Sequence, residues 1–153
     1  MRTILSDRNN YSVVFCLSIF VSLITVGCGE TKYAQCEQII QIANRVVSEK
    51  TKLIDTESSA NIESKTWLQA ARTIAQAAQK LENVDLQDPK LINYQTDLAQ
   101  IYRIYARTTY DAVKAWENKN IKALQIAHTD AEKAGQLEEK LGSAINNYCG
   151  DRQ

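Results

Sequence analysis

Proline and glycine are scarce in this chain of 153 residues, with one and five copies, and histidine occurs once. Collagen-like and proline-rich disordered chains are thereby excluded, because both need one or both of the first two residues in quantity. With a single histidine, His128, a metal centre built on several imidazoles cannot be assembled. The few glycines form no phosphate-cradling loop, and neither H-E-x-x-H nor G-x-S-x-G occurs. An excess of either charge is also missing, since 18 basic residues face 18 acidic ones. A balanced chain lacks the cationic surplus that attracts phosphate backbones, so nucleic acid is not an expected partner.

What the chain has in abundance is Ala, Gln, Lys, Glu and Leu, all residues that lose little freedom in a helix. Charge is unevenly distributed. Arg2 and Arg8 flank a polar start, after which Tyr11 to Gly27 carries no charge, which is the layout of a secretory leader. The apolar run ends at Thr25-Val26-Gly27-Cys28, and here the chain resembles bacterial lipoprotein precursors. Small Gly27 before Cys28 fits that pattern, with Thr25 in the place where an aliphatic residue is usual. The resemblance implies cleavage before Cys28 and attachment of acyl chains such as palmitate to its sulfur and new amino terminus. An apolar stretch of about 20 residues is also the length of an uncleaved membrane anchor, and ordinary secretion is the third possibility. The first two put the following domain on the same side of the membrane. The division expected is residues 1–27 as signal peptide, 28–32 as tether, 33–150 as the folded domain and 151–153 as a short tail. Without the leader, which holds Arg2, Asp7 and Arg8, the net charge is about −1.

Of the four cysteines, Cys16 lies in the leader and Cys28 is the lipidation candidate. Cys36 and Cys149 remain, one near each end of the domain, as a structural disulfide in an oxidising compartment would require. Neither belongs to a C-x-x-C pair, so redox catalysis has no local support.

Spacing of apolar residues by three and four predicts four helices. The first runs from about Tyr33 to Ile54, with Cys36, Ile39, Ile40, Ala43, Val46 and Val47 inward. A polar link, Asp55 to Ser59, leads to a second helix from about Ala60 to Val84, with Trp67, Ala70, Ala71, Ile74, Ala78 and Leu81 inward. Asp88-Pro89 marks the third start, as a cap followed by proline at the first helical position. From there Leu91, Tyr94, Leu98, Ile101, Tyr105, Thr108 and Ala112 form a seam leading to Trp116. Asn118-Lys119-Asn120 reads as a tight turn into a fourth helix, whose inner face carries Ile121, Leu124, His128, Ala131, Ala134, Leu141, Ile145 and Tyr148, and which ends at Gly150. Four helices with short links imply an all-α, up-down-up-down four-helix bundle. In that topology the start of the first helix and the end of the fourth lie at one end, which brings Cys36 and Cys149 together without their having been used to derive it.

Convergent inward His, Cys, Asp or Glu residues would signal catalysis or a metal, and the pattern does not supply them. His128 is preceded three residues earlier by Gln125, so the Glu-x-x-His signature of di-metal bundles is missing. The expectation is a chain that is not an enzyme and carries no cofactor or metal. Tyr94, Tyr102, Tyr105 and Tyr110 cluster on the third helix with Arg103 and Arg107. Tyr94 and Tyr105 fall on the seam, whereas Tyr102 and Tyr110 share another face with Ala106 and Val113, wide enough to contact either the second neighbouring helix or an external partner. Because aromatics and arginine are enriched in binding hot spots, Tyr102, Arg103 and Tyr110 are the candidate interface residues.

Two short stretches, Leu86 to Gln95 and Asn146 to Cys149, are similar to small helical proteins of cyanobacteria, a resemblance that implies no activity. The reading reached is a membrane-tethered helical binding or assembly module of the bacterial cell envelope, anchored by lipid and facing the periplasm or the lumen of a photosynthetic membrane. Its expected partners are the membrane and another envelope protein. The alternative is a carrier or sensor for a small apolar ligand held between the helices.

Overall fold

The computed structural model describes the backbone of residues 31–55 and 64–150, and the side chains of 31–48 and 64–150. Four helices make up the described residues: α1 (Lys32–Asp55), α2 (Ser64–Glu82), α3 (Pro89–Glu117) and α4 (Ile121–Gly150). They form the four-helix bundle that the spacing predicts. The helix starts of α3 and α4 fall where the cap residues put them. Asp88 holds an extended backbone, and its Oδ1 accepts hydrogen bonds from the amides of Lys90 at 2.9 Å and Leu91 at 3.1 Å, with Pro89 at the first helical position. The expected start of the second helix at Ala60 lies outside the described residues, as do the cap residues of its link beyond Asp55.

α3 is the centre of the bundle. Both α2 and α4 pack along it, while α1 lies mainly against α2 and meets α3 and α4 over shorter stretches. A helix with two long neighbours needs two apolar stripes, and α3 has them. Leu91, Leu98 and Ile101 belong to the predicted seam, while Gln95, Ala99, Tyr102 and Val113 form a second buried stripe. The continuous core joins Ile39, Ala78, Leu81, Leu91, Leu98, Ile101, Tyr102, Leu141 and Ile145 with Cys36 and Cys149. Apart from Gln35 and Gln95, the buried residues outside that cluster, Ala70, Ala71, Val113, Ala115, Ala127 and Thr108, lie toward the other end and are small.

Cys36 and Cys149 form a disulfide with Cα atoms 5.8 Å apart, inside the range that such a bridge spans. Both are buried, and the bridge ties the first turns of α1 to the last of α4.

Four residues assigned inward by periodicity are exposed. Val47 is 56% accessible, Trp67 45% and Ile121 62%, and the His128 side chain 72%. Ile121 is the first residue of α4 and Trp67 sits in the first turn of α2, where the neighbouring helices are ending, so a correct phase does not guarantee a partner to pack on. His128 lies nearest Glu132, one turn on, with Nδ1 3.7 Å from Oε1, while Asp130 approaches Lys133 instead at 3.7 Å.

Two glutamines that periodicity did not single out are buried near the disulfide end. Gln35 Oε1 accepts from the amides of Gln87 at 2.7 Å and Asp88 at 2.9 Å, joining α1 to the α2–α3 link. Gln95 Nε2 donates to the carbonyl oxygens of Leu81 and Val84 at the end of α2, where Leu81 O also accepts from Val84 N–H at 3.1 Å. Gln95→Leu keeps the volume but removes the side-chain donor from both carbonyls, leaving Leu81 O with its backbone partner alone. It is expected to cost about 1–3 kcal/mol, visible as a lower urea midpoint with an unchanged slope.

Candidate functional site

The three candidate interface residues do not form one surface. Tyr102 is 1% accessible and is among the largest fully buried side chains, so of the two alternatives for its face, a neighbouring helix or an external partner, it takes the first. Its position is the second buried stripe of α3. Burial raises the Tyr102 hydroxyl pKa above the ordinary phenol range, with nearby Glu138 acting in the same direction. Neighbouring Tyr105 donates to Glu138 Oε2 at 2.9 Å, bridging α3 to α4. Arg103 is exposed but occupied, because its guanidinium forms a two-pronged pair with Glu82 on α2, with Nε at 2.8 Å from Oε1. That hydrogen-bonded guanidinium holds the Glu82 carboxyl below its usual range. Tyr110 alone of the three is exposed and unburdened, at 50%, with Lys114 Nζ 5.9 Å from its ring centre.

Tyr110 belongs to a different group. Of the nine large hydrophobic residues exposed among those described, five lie near the bundle end opposite the disulfide: Trp67, Tyr110, Trp116, Ile121 and Ile126. Trp116 is the most exposed at 70%. Each stands within about 11 Å of the end of its helix, counting 1.5 Å per residue. The described side chains buried there are small.

The turn that carries Trp116 and Ile121 is tightly fixed. Lys119 N–H donates to Trp116 O at 3.0 Å and Asn120 N–H to Ala115 O at 2.8 Å, the paired bonds of a Schellman motif. Lys119 sits at the left-handed position with φ of 55°, which a residue bearing a Cβ adopts at a cost of about 1 kcal/mol. Asn118 Nδ2 donates to Lys114 O at 2.9 Å, and Asn120 Oδ1 accepts from Ala123 N at 3.1 Å, which starts α4. The apolar pair flanking the turn is therefore held on a rigid support. Between the two helices beside it runs an open crevice lined by Asp111, Lys114, Asn118, Ile126 and Asp130, so the apolar group has a polar rim.

No three His, Cys, Asp or Glu side chains converge in a metal-holding geometry among the described residues. The crevice between α1 and α2 measures about 140 Å³ and is lined partly by Gln41, Arg45, Thr73 and Gln76. That is below the roughly 300 Å³ at which small-molecule sites begin. Cys28, the lipidation candidate, lies outside the described residues, and within them no helix is long and apolar enough to cross a membrane. The chain matches no protein-family model, and no curated protein or solved structure is significantly similar to it.

Proposed function

We propose that the chain is a membrane-tethered helical binding or assembly module of the bacterial cell envelope, which presents the α3–α4 end of its bundle to another envelope protein. The observation that carries this reading is the gathering of Trp67, Tyr110, Trp116, Ile121 and Ile126 at the end away from Cys36, which stands eight residues after Cys28 in the sequence. Contiguous exposed apolar groups with a polar rim mark protein-contact sites on soluble domains. A tether at one end and an apolar crown at the other suit a domain that reaches outward from a membrane. The rival reading, a carrier holding a small apolar ligand, draws less support. Its interior is filled by packed leucine, isoleucine, tyrosine and alanine side chains, and its larger crevices, of about 330 and 420 Å³, open onto the surface.

A photo-crosslinking amino acid placed at Ile121 in the living cell tests the proposal, with a second placement at exposed Glu139 on the flank as the control. One envelope protein should be captured from position 121 and not from 139. Trp116→Asp should then reduce that capture by about 30-fold, the effect of losing a hot-spot contact worth about 2 kcal/mol, while the unfolding midpoint stays unchanged. Equal capture from both positions, or a product between two copies of this chain, would refute the assignment.

A further inference from the structure

We propose that the opposite, tether-side end of the bundle is a second contact surface, on which Lys32 and Lys90 engage the phosphates of anionic lipid headgroups. The inference deepens the tethered reading and rests on residues 28–32 being a tether. Lys32 opens α1 and Lys90 stands in the first turn of α3, yet both ammonium groups converge on one ring, that of Tyr148 near the end of α4. Their Nζ atoms lie 3.9 and 4.5 Å from its centre. Tyr94 meets the same ring edge-on, with ring centres 6.0 Å apart. The Tyr148 hydroxyl donates to Asp88 Oδ2 at 2.7 Å, and Asp88 Oδ1 is taken by two backbone amides. The one carboxylate in the cluster is thus fully occupied, and neither ammonium takes part in an ion pair among the described residues.

A cation in the first turn of a helix opposes the helix dipole, and here two are placed so. The Tyr148 ring, and the Asp88 charge acting on Lys32, offset part of what this placement costs. Position supplies a further reason. Cys28 and Lys32 are four residue steps apart, so the chain reaches at most about 14 Å between the acylated cysteine and the bundle. This end therefore stands at headgroup depth, and it carries what interfaces favour: cations on flexible stems beside amphipathic aromatic rings, with Tyr33 exposed as a further ring. Asp85 and Glu37 are also exposed near this end and weaken any long-range attraction, so the contact acts at short range and its effect is modest.

The test uses the full chain in two kinds of vesicle, phosphatidylcholine alone and phosphatidylcholine with phosphatidylglycerol, with acetylation of each lysine followed by mass spectrometry. Relative to exposed Lys140, both Lys32 and Lys90 should react about fivefold more slowly in the anionic vesicles, and high salt should erase the difference. In a Lys32→Gln variant the protection of Lys90 should fall, with the helical circular dichroism unchanged. Equal rates in the two vesicles overturn the inference, as does protection of the same size in both, which reports only the nearness of a bilayer. The same spectra read the amino terminus. A lipidated, vesicle-bound chain with equally reactive lysines sinks this inference and leaves the tether standing, whereas an unlipidated chain in the supernatant sinks both.

Discussion

Replacing Cys36 and Cys149 together by serine is expected to lower the unfolding midpoint by about 12–24 °C while leaving the far-ultraviolet circular dichroism helical. The bridge joins residues 113 apart in sequence. In the chain-entropy account a loop of about 100 residues restricts the unfolded ensemble by about 4–5 kcal/mol, and each kcal/mol moves the midpoint of a domain this size by a few degrees. The location of the bond adds a reason to expect a large effect. α1 meets α4 only over a short stretch, so the disulfide is the main link that closes the bundle on that side. The helices themselves should persist, because Leu81, Leu91, Leu98, Leu141 and Ile145 bury their apolar area whether or not the bond exists. Thermal unfolding of the double variant beside the reduced wild type is the measurement. A shift under about 3 °C would mean that α1 is held by packing alone.

Cys28→Ala is expected to abolish lipid attachment and with it the cleaved, membrane-bound form. Each buried methylene adds about 0.8 kcal/mol, so one acyl chain binds reversibly whereas two or three hold a domain permanently. Without the thiol no acyl chain is attached there, and the chain should accumulate as precursor or appear in the soluble fraction. The amino-terminal mass decides: wild type should begin at Cys28 and carry acyl chains, and the variant should not. A wild-type chain that is unmodified and still begins at Met1 would identify the apolar stretch of residues 11–27 as a retained anchor. The bundle would then stand on the same side of the membrane, and its apolar end would still point away.

The two ends of the bundle divide the work proposed for it. Gln35, Asp88 and Tyr148 knit the α1, α3 and α4 termini together beside the disulfide, so the end nearest the tether is covalently closed and densely hydrogen-bonded. Among the described residues, the far end shows small buried side chains and the fixed α3–α4 turn. On the reading proposed above, a base tied at the membrane and an apolar crown at the other end would carry position from the membrane to a partner.

The sequence by itself determined the helix order, the α3 and α4 boundaries and the Cys36–Cys149 pairing. Those features rest on local chemistry: a period of three to four residues, an Asp-Pro start, an asparagine-bounded turn and short links that leave antiparallel packing as the compact solution. Only the tertiary structure decided which apolar residues are covered. Periodicity gives the direction of a side chain around its helix and says nothing of how far the neighbouring helix extends. Trp67 and Ile121 therefore point as their phase requires and still emerge at the bundle end, while Tyr102, off the predicted seam, is buried because α3 has a second neighbour. The buried hydrogen bonds of Gln35 and Gln95 escaped the sequence for the same reason, since their partners belong to chain ends that only packing brings near.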